Sequence, residues 1–384
     1  NVGTWVVFRV GSTDGGVLAT VERAAVLDPN RREKITGVVL DVLPGSGVGA
    51  GVWFYRVAAV TGPSDPFNPD GENLPSDPFP LQLPAVSGSG VSVKLQWAAE
   101  PTASRYRVYR SPTSGAVPEQ LIAEVTAPAT SYTDLGGAPI LTENPLPVGS
   151  TGAWKTVATM PVPREGPGVS WGVDPADATK AYLYVFGGRA NATTAHTSYD
   201  ILPITFGTNG AQTVGTLAVG ANPLSTARWQ LSSSFATRDT SPVIAAGKTF
   251  VYALSGFAAN GTAIVNKAEG SEVQAGGQLK AWTDLGNLSR AGYANLVAGN
   301  FVYAFGGGGG TPGMSVAGGE ICASAGGSCG MGAPQIVNWN QGQATLQALL
   351  SPGGALHGAF IYLAGGATST SPLTVSNRVE YRLW

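Results

Sequence analysis

One eight-residue phrase recurs four times in the second half of the chain: AYLYVFGG at 181–188, TFVYALSG at 249–256, NFVYAFGG at 300–307 and AFIYLAGG at 359–366. Each is a run of β-branched and aromatic residues with tyrosine at its fourth place, closed by a pair of small residues. The copies begin 68, 51 and 59 residues apart. Such a period marks one supersecondary unit built repeatedly, which buries its apolar faces by stacking on its neighbours. A continuous apolar run, without strict alternation, predicts a strand covered on both faces. The closing residues predict backbone that leaves the strand through dihedrals open to glycine alone. Tyr184, Tyr252, Tyr303 and Tyr362 are therefore read as packing residues. Gly187, Gly188, Gly256, Gly306, Gly307, Gly365 and Gly366 form the turns that follow.

Three copies also associate with a tryptophan and an arginine eight to ten residues later: Trp154 with Arg164, Trp229 with Arg238, and Trp282 with Arg290. An outer-strand tryptophan fills the wedge that widens between radially arranged sheets, and an arginine ties neighbouring sheets through carbonyl oxygens. The whole pattern resembles the kelch repeat, which implies that each copy is a four-stranded blade of a β-propeller. The four phrases are then second strands. Third strands are expected at 198–206, 264–274, 334–338 and 377–384, and outer strands at 228–233, 280–285 and 344–350. The segment 153–161 is left without a blade and the fourth blade without an outer strand. Pairing 153–161 with 377–384 would close a four-bladed ring and remove the free edge.

The first third reads differently. Alternating segments TWVVFRV, ATVERAAV, KITGVVLDVL and VWFYRVAAV lead to a Ser/Pro-rich stretch, GENLPSDPFPLQL. The phrase Tyr55-x-Val57-x-Ala59 resembles the next-to-last strand of a fibronectin type III domain. VSVKLQW at 91–97 followed by SRYRVYRS at 104–111 resembles the opening of another, with Trp97 between the sheets. The expected layout is all-β: an incomplete fibronectin type III-like sandwich over 1–84, lacking its first strands; a second over 85–147, lacking its last; and a kelch-like propeller over 148–384. The acidic loop at 64–79, with Asp65, Asp70, Glu72 and Asp77, lacks the spacing of a calcium loop and reads as a solvated turn.

Charged residues make up 12% of the 384 and the net charge is −2, so no basic surface points to nucleic acid. No apolar run reaches membrane-spanning length. The chain begins at Asn1 without a signal-like segment, which reads as a processed or trimmed N-terminus. Cys322 and Cys329 stand in a glycine-rich loop, 306–331, and are expected to form a local disulfide worth about 2–3 kcal/mol. That pairing implies an oxidising, extracellular or cell-surface location.

Catalytic chemistry is not legible. The only histidines are His196 and His357, far apart in sequence, and no nucleophile elbow, zinc helix or Cys–His pair occurs. A glycosidase needs two facing carboxylates; Asp174, Asp177, Asp200, Asp239, Glu269, Glu272, Asp284, Glu320 and Glu380 show no grouping. The copper chemistry of some kelch propellers needs a tyrosine–cysteine crosslink and two histidines, which this cysteine pair does not suit. No cofactor or metal is expected. Asn191, Asn260 and Asn287 match the N-glycosylation pattern. The leading expectation is a non-enzymatic structural or adhesion protein whose partners are protein subunits or further copies of itself, as in a filament, sheath or virion surface. A carbohydrate-binding propeller, with Trp171, Trp339 and Tyr199 as glycan contacts, is the alternative. A secreted glycan-active enzyme comes third.

Overall fold

A computed structural model of the chain describes residues 6–10, 17–27, 34–85, 90–207, 212–237, 247–309, 311–322, 335–341, 343–357 and 360–383. The protein is all-β, with no helix among the described residues and many strands in several small sheets. It divides into two compact units, one centred on Glu22–Lys155 and the other on Thr156–Gly207 and Thr213–Trp384. The chain opens with β1 (Val6–Val10) and β2 (Leu18–Ala25).

The first unit contains β3 (Val39–Val48), β4 (Gly51–Thr61), β5 (Phe79–Leu83), β6 (Val91–Gln96), β7 (Ala103–Arg110), β8 (Gln120–Thr126) and β9 (Ser131–Asp134). They form two antiparallel sheets, β3-β6-β9 and β5-β4-β7-β8. Both contribute to one core that joins Val57, Val93, Leu95, Val108, Tyr55 and Trp97. This corrects the expected division into two modules at 84/85. Val57 of β4 pairs with Val108 of β7, and Leu40 of β3 with Leu95 of β6. The strands missing from each half are supplied by the other. Each half alone would expose open edges and half a core; together they close one.

A buried ionic tie links the two layers. Arg110 on β7 donates through Nη1 to both oxygens of Asp134 on β9, at 2.9 and 2.7 Å. The Tyr55 hydroxyl on β4 donates to the same carboxylate at 2.8 Å. Burial, followed by the Asp134 charge, pushes the Tyr55 phenol upward, so it remains a neutral donor. In the acidic loop each carboxylate has its own partner: Asp65 accepts from the Phe67 and Asn68 amides, Glu72 pairs with Arg107, Asp77 with Lys34 and Asp70 with Lys155.

In the second part of the chain, β10 (Lys155–Arg164) joins the sheet β1-β2-β10. Four further sheets follow. The first contains β11 (Gly168–Val173) and β12 (Lys180–Phe186), then, after a hairpin of β13 (Arg189–Asn191) and β14 (Thr194–Ala195), β15 (Tyr199–Phe206), with β16 (Gln212–Val214) and β17 (Ala218–Val219) both on β15. The second is β18 (Ser232–Thr237), β19 (Thr249–Leu254), β20 (Lys267–Glu272) and β21 (Thr283–Asn287). The third is β22 (Ala294–Ala298), β23 (Phe301–Phe305), β24 (Val316–Cys322) and β25 (Gln335–Gln341). The fourth is β26 (Gly353–His357), β27 (Phe360–Ala364) and, after a hairpin of β28 (Ala367–Thr370) and β29 (Leu373–Val375), β30 (Val379–Leu383).

All four phrases are second strands: β12, β19, β23 and β27. Third strands lie within 198–206, 264–274 and 377–384 as expected. In the third sheet, however, the third strand is β24, taken from the glycine-rich stretch expected to be a loop, and 334–338 falls in the fourth strand. Its glycines have a purpose. Gly318 pairs with Tyr303, and a Cβ there would meet the tyrosine ring at 3.3 Å. Gly270 does the same for Tyr252 at 3.1 Å. The third-strand glycine makes room for the phrase tyrosine. Among the outer strands, 280–285 overlaps β21, whereas 228–233 leads into the first strand β18, and 344–350 carries only isolated bridges.

The expected ring closure is also corrected. The segment 153–161 lies in β10, hydrogen-bonded in the order β1-β2-β10, while β30 pairs with β27. The four sheets instead pack in series. First strands β11, β18, β22 and β26 stand beside one another in turn. Tyr184, Phe186 and Tyr199 of the first sheet pack on Val251 and Ala253 of the second. Phe250, Tyr252 and Leu254 of the second pack on Val302 and Ala304 of the third. Phe305 and Val316 of the third pack on Ile361 and Leu363 of the fourth. An aromatic face meets an aliphatic face each time.

The small-residue pairs fix this stacking. Gly306 and Gly307 have φ of 71° and 72°, a region that costs other residues strain. A Cβ on Gly307 would meet the Ala291 carbonyl oxygen at 2.6 Å, and one on Gly306 the Leu349 carbonyl at 2.7 Å. The Gly188 and Gly307 amides donate to the Arg228 and Leu349 carbonyls at 2.9 and 2.8 Å. Each pair thus locks onto the entry of the next sheet.

Two outcomes follow. Asp134→Ala strands a buried guanidinium and should destabilise the first unit by about 3–5 kcal/mol, measured by urea unfolding; Tyr55→Phe, which leaves the ion pair intact, should cost about 1 kcal/mol. Gly307→Ala should lower stability by more than about 1 kcal/mol, and by more than Gly45→Ala, where φ is also positive but nothing lies within 4 Å. Equal melting shifts for the two glycine variants would remove the role given to the pair.

Candidate functional site

The bridges Glu165↔Arg189, Trp229↔Phe257, Ala291↔Gly308 and Leu350↔Ala367 mark the same place in the four sheets. The residues just before them, Arg164, Arg228, Arg290 and Leu349, are therefore equivalent. Opposite the fifth residue of each phrase the third strand carries Asp200, Glu269, Ala317 and Glu380. Arg164 and Asp200 form an ion pair at 3.0 Å, Arg228 and Glu269 one at 2.7 Å, all four side chains buried. Burial pushes the Asp200 carboxyl up against the pull of Arg164, and it pushes the Arg228 guanidinium down. These are structural ties. Arg164 also donates to the Gly187 and Ser198 carbonyls, as Arg290 does to those of Gly306 and Ser315.

The set then breaks down. Arg290 faces Ala317 and relies on Ser315, whose hydroxyl accepts its second Nη at 2.8 Å. Glu380 faces Leu349. One Glu380 oxygen accepts the Leu346 amide at 2.9 Å, matching the Ser225 amide on Glu269 at 3.0 Å. The other, Oε1, is shielded from solvent without a hydrogen-bond partner.

The sequence pairing of Trp229 with Arg238 is corrected by this alignment: Arg228 is the structural equivalent of Arg164, and Arg238 lies outside the described residues. Nor do Trp154, Trp229 and Trp282 form one set. Trp282, just before the fourth strand β21, packs edge-on against Phe186 at 5.3 Å and Tyr199 at 6.4 Å. Trp229 sits at the entry of the second sheet, with the Arg189 guanidinium 3.3 Å from its ring centre. Trp154 is 44% exposed ahead of β10. Tyr184 and Tyr252 are wholly buried, as packing residues should be; Tyr303 and Tyr362 are partly buried.

The proposed glycan contacts do not converge. Tyr199 is fully buried, which removes it as a surface contact. Trp171, 41% exposed, lies on the opposite face of the first sheet, in line with Leu183 and Leu202. Trp339 is on β25 of the third sheet, and its side chain is outside the described residues. Cys322 ends β24, but Cys329 and with it the expected disulfide lie outside the described residues, as does Asp239. Asn191, Asn260 and Asn287 are all exposed.

Among the described residues no three His, Cys, Asp or Glu side chains group to hold a metal. Burial and then the Arg164 charge push the His196 imidazole down, so it is neutral at pH 7, with no carboxylate hydrogen-bonded to it. What the unit offers is surface. By register, Val379, Tyr381 and Leu383 share a face with Ala364, Tyr362 and Phe360. The three β30 residues are 65%, 71% and 65% exposed, and Phe360, Tyr362 and Tyr381 form a ring cluster with centroids 6.1–6.5 Å apart. This face is the fourth-sheet counterpart of the aromatic faces covered in the other three. Sequence reasoning missed it because β30 reads like any buried strand. Beside it an apolar cleft of about 400 Å³ opens between the third and fourth sheets, lined by Tyr303, Phe305, Val316, Ile361, Leu363 and Glu380.

No family model matches the chain, and no curated protein matches it. Among solved structures, the structure of YjhT superposes with a TM-score of 0.40 at 13% sequence identity, over 76% of this chain and 79% of that one.

Proposed function

We propose that the chain is a non-enzymatic structural or adhesion protein of an extracellular or cell-surface setting, which works by protein–protein contact and self-assembly. In this reading its first unit is one fibronectin type III-like sandwich, carrying Tyr55, Val57 and Ala59 on β4 and Trp97 after β6. The serial sheets are kelch-like blades, each with the phrase as its second strand. The observation that carries the function is the uncovered face of β27 and β30. Apolar patches of this kind, with aromatic residues at the centre, mark interaction sites on soluble proteins. Its ring-rich composition suits a protein interface. The scarcity of surface charge elsewhere favours close association between copies.

Sedimentation of the purified chain across a concentration series tests this. Association that weakens at least tenfold in Val379→Glu, with melting unchanged, is the expected result. A monomer at all concentrations that retains no partner protein overturns the reading. Association replaced by saturable binding on a glycan array would favour the carbohydrate-binding alternative.

A further inference from the structure

The cleft beside β30 has a filled counterpart elsewhere in the same chain. In the second sheet the segment entering the fourth strand places Trp282 on Phe186 and Tyr199 of the first sheet, and the indole Nε1 donates to the Asn222 carbonyl at 2.9 Å. Phe186 pairs with Tyr199 as Phe305 pairs with Val316. Asn222 stands ten residues before the start of its following first strand, β18, as Gln343 does before β26. Phe305, Val316 and Gln343 all line the cleft. It is therefore the seat of an outer-strand tryptophan, repeated between the third and fourth sheets. The fourth sheet ends at β30, and no strand pairs with that edge among the described residues.

We infer that the cleft and the β30 edge together bind an extended segment of a partner polypeptide, which adds a strand to β30 and seats a tryptophan over Phe305 and Val316. Strand addition supplies main-chain hydrogen bonds, and a pocket for one side chain supplies selectivity. The seat continues the packed interface in which Phe305 and Val316 already meet Ile361 and Leu363. Electrostatics adds a second requirement. In the first two sheets the equivalent acid is neutralised by an arginine; here Leu349 replaces it, so the Glu380 Oε1 calls for an N–H donor or a cation from the incoming segment. A second copy of this chain does not meet the description. The described strands that carry tryptophan, namely those of Trp53, Trp171 and Trp339, are already built into sheets, and Trp282 is seated on its own neighbour.

This inference deepens the contact function proposed above and rests on it, while using the cleft and strand edge in place of the outward face. The probe is a synthetic peptide of the chain's own seated segment, LKAWTDLGNL (279–288), titrated into the intact chain and followed by calorimetry. Saturable binding is expected, weakened at least tenfold by Trp282→Ala in the peptide. In the protein, Leu346→Asp at the rim, a residue 81% exposed, should weaken it at least tenfold with the melting temperature unchanged. No saturable binding, equal binding of the two peptides, or indifference to Leu346→Asp overturns the proposal. So does self-association that Leu346→Asp abolishes, because a second copy would then be the occupant. Loss of assembly in Val379→Glu with peptide capture intact, or the reverse, separates the failure of one reading from the other.

Discussion

The second half of this protein depends on one contact made repeatedly: the aromatic face of a sheet laid on the aliphatic face of the next. Tyr184 and Phe186 need Val251 and Ala253; Phe250 and Tyr252 need Val302 and Ala304; Phe305 needs Ile361 and Leu363. No single sheet of three or four short strands buries enough apolar surface to stand alone. Stability is therefore shared between neighbours, as in other repeat architectures. The small-residue pairs serve that contact, since only backbone without a side chain lets the end of one phrase reach the carbonyl at the entry of the following sheet. The last member of such a series has no follower. Gly365, for which the nearest neighbour of an added Cβ is 3.7 Å away within its own sheet, lacks the close approach that Gly187 and Gly306 make.

The buried charges obey the same repeat but with less fidelity. Two complete Arg–acid pairs are followed by an arginine without an acid and an acid without an arginine. Breaking a buried pair is costly when one charge stays behind uncompensated. Arg290 avoids that cost by turning to Ser315 and to carbonyl oxygens. Glu380 is compensated only by the Leu346 amide. The incomplete member of the set lies on the cleft, next to the uncovered face, so polar and apolar shortfalls coincide in one region.

Much of this was legible in the amino-acid sequence, and the rest was hidden for identifiable reasons. The phrases stand out because a strand buried on both faces cannot alternate, so β12, β19, β23 and β27 are recognisable from Tyr, Phe and Val alone. Strand β24 was hidden because its job is to be small: Gly318 lies under the Tyr303 ring, and a glycine chosen for clearance looks like a glycine chosen for a turn. The joining of the two N-terminal halves was hidden because β4 meets β7 across a loop and two intervening strands, and local patterning carries no information on such pairing. Arg228 and Arg238 lie ten residues apart, and spacing to a tryptophan selected the wrong one because Trp229 has a different place from Trp282. The candidate surface emerges only from comparing equivalent faces in three dimensions.

Strand-resolved hydrogen exchange on the dilute, monomeric chain tests the central claim, that the fourth sheet lacks the cover its predecessors have. The account predicts slow exchange along β20, held between β19 and β21, and fast exchange at the outward-facing amides of 379–383 on the free edge of β30. Protection of β30 equal to that of β20 in the monomer would contradict it.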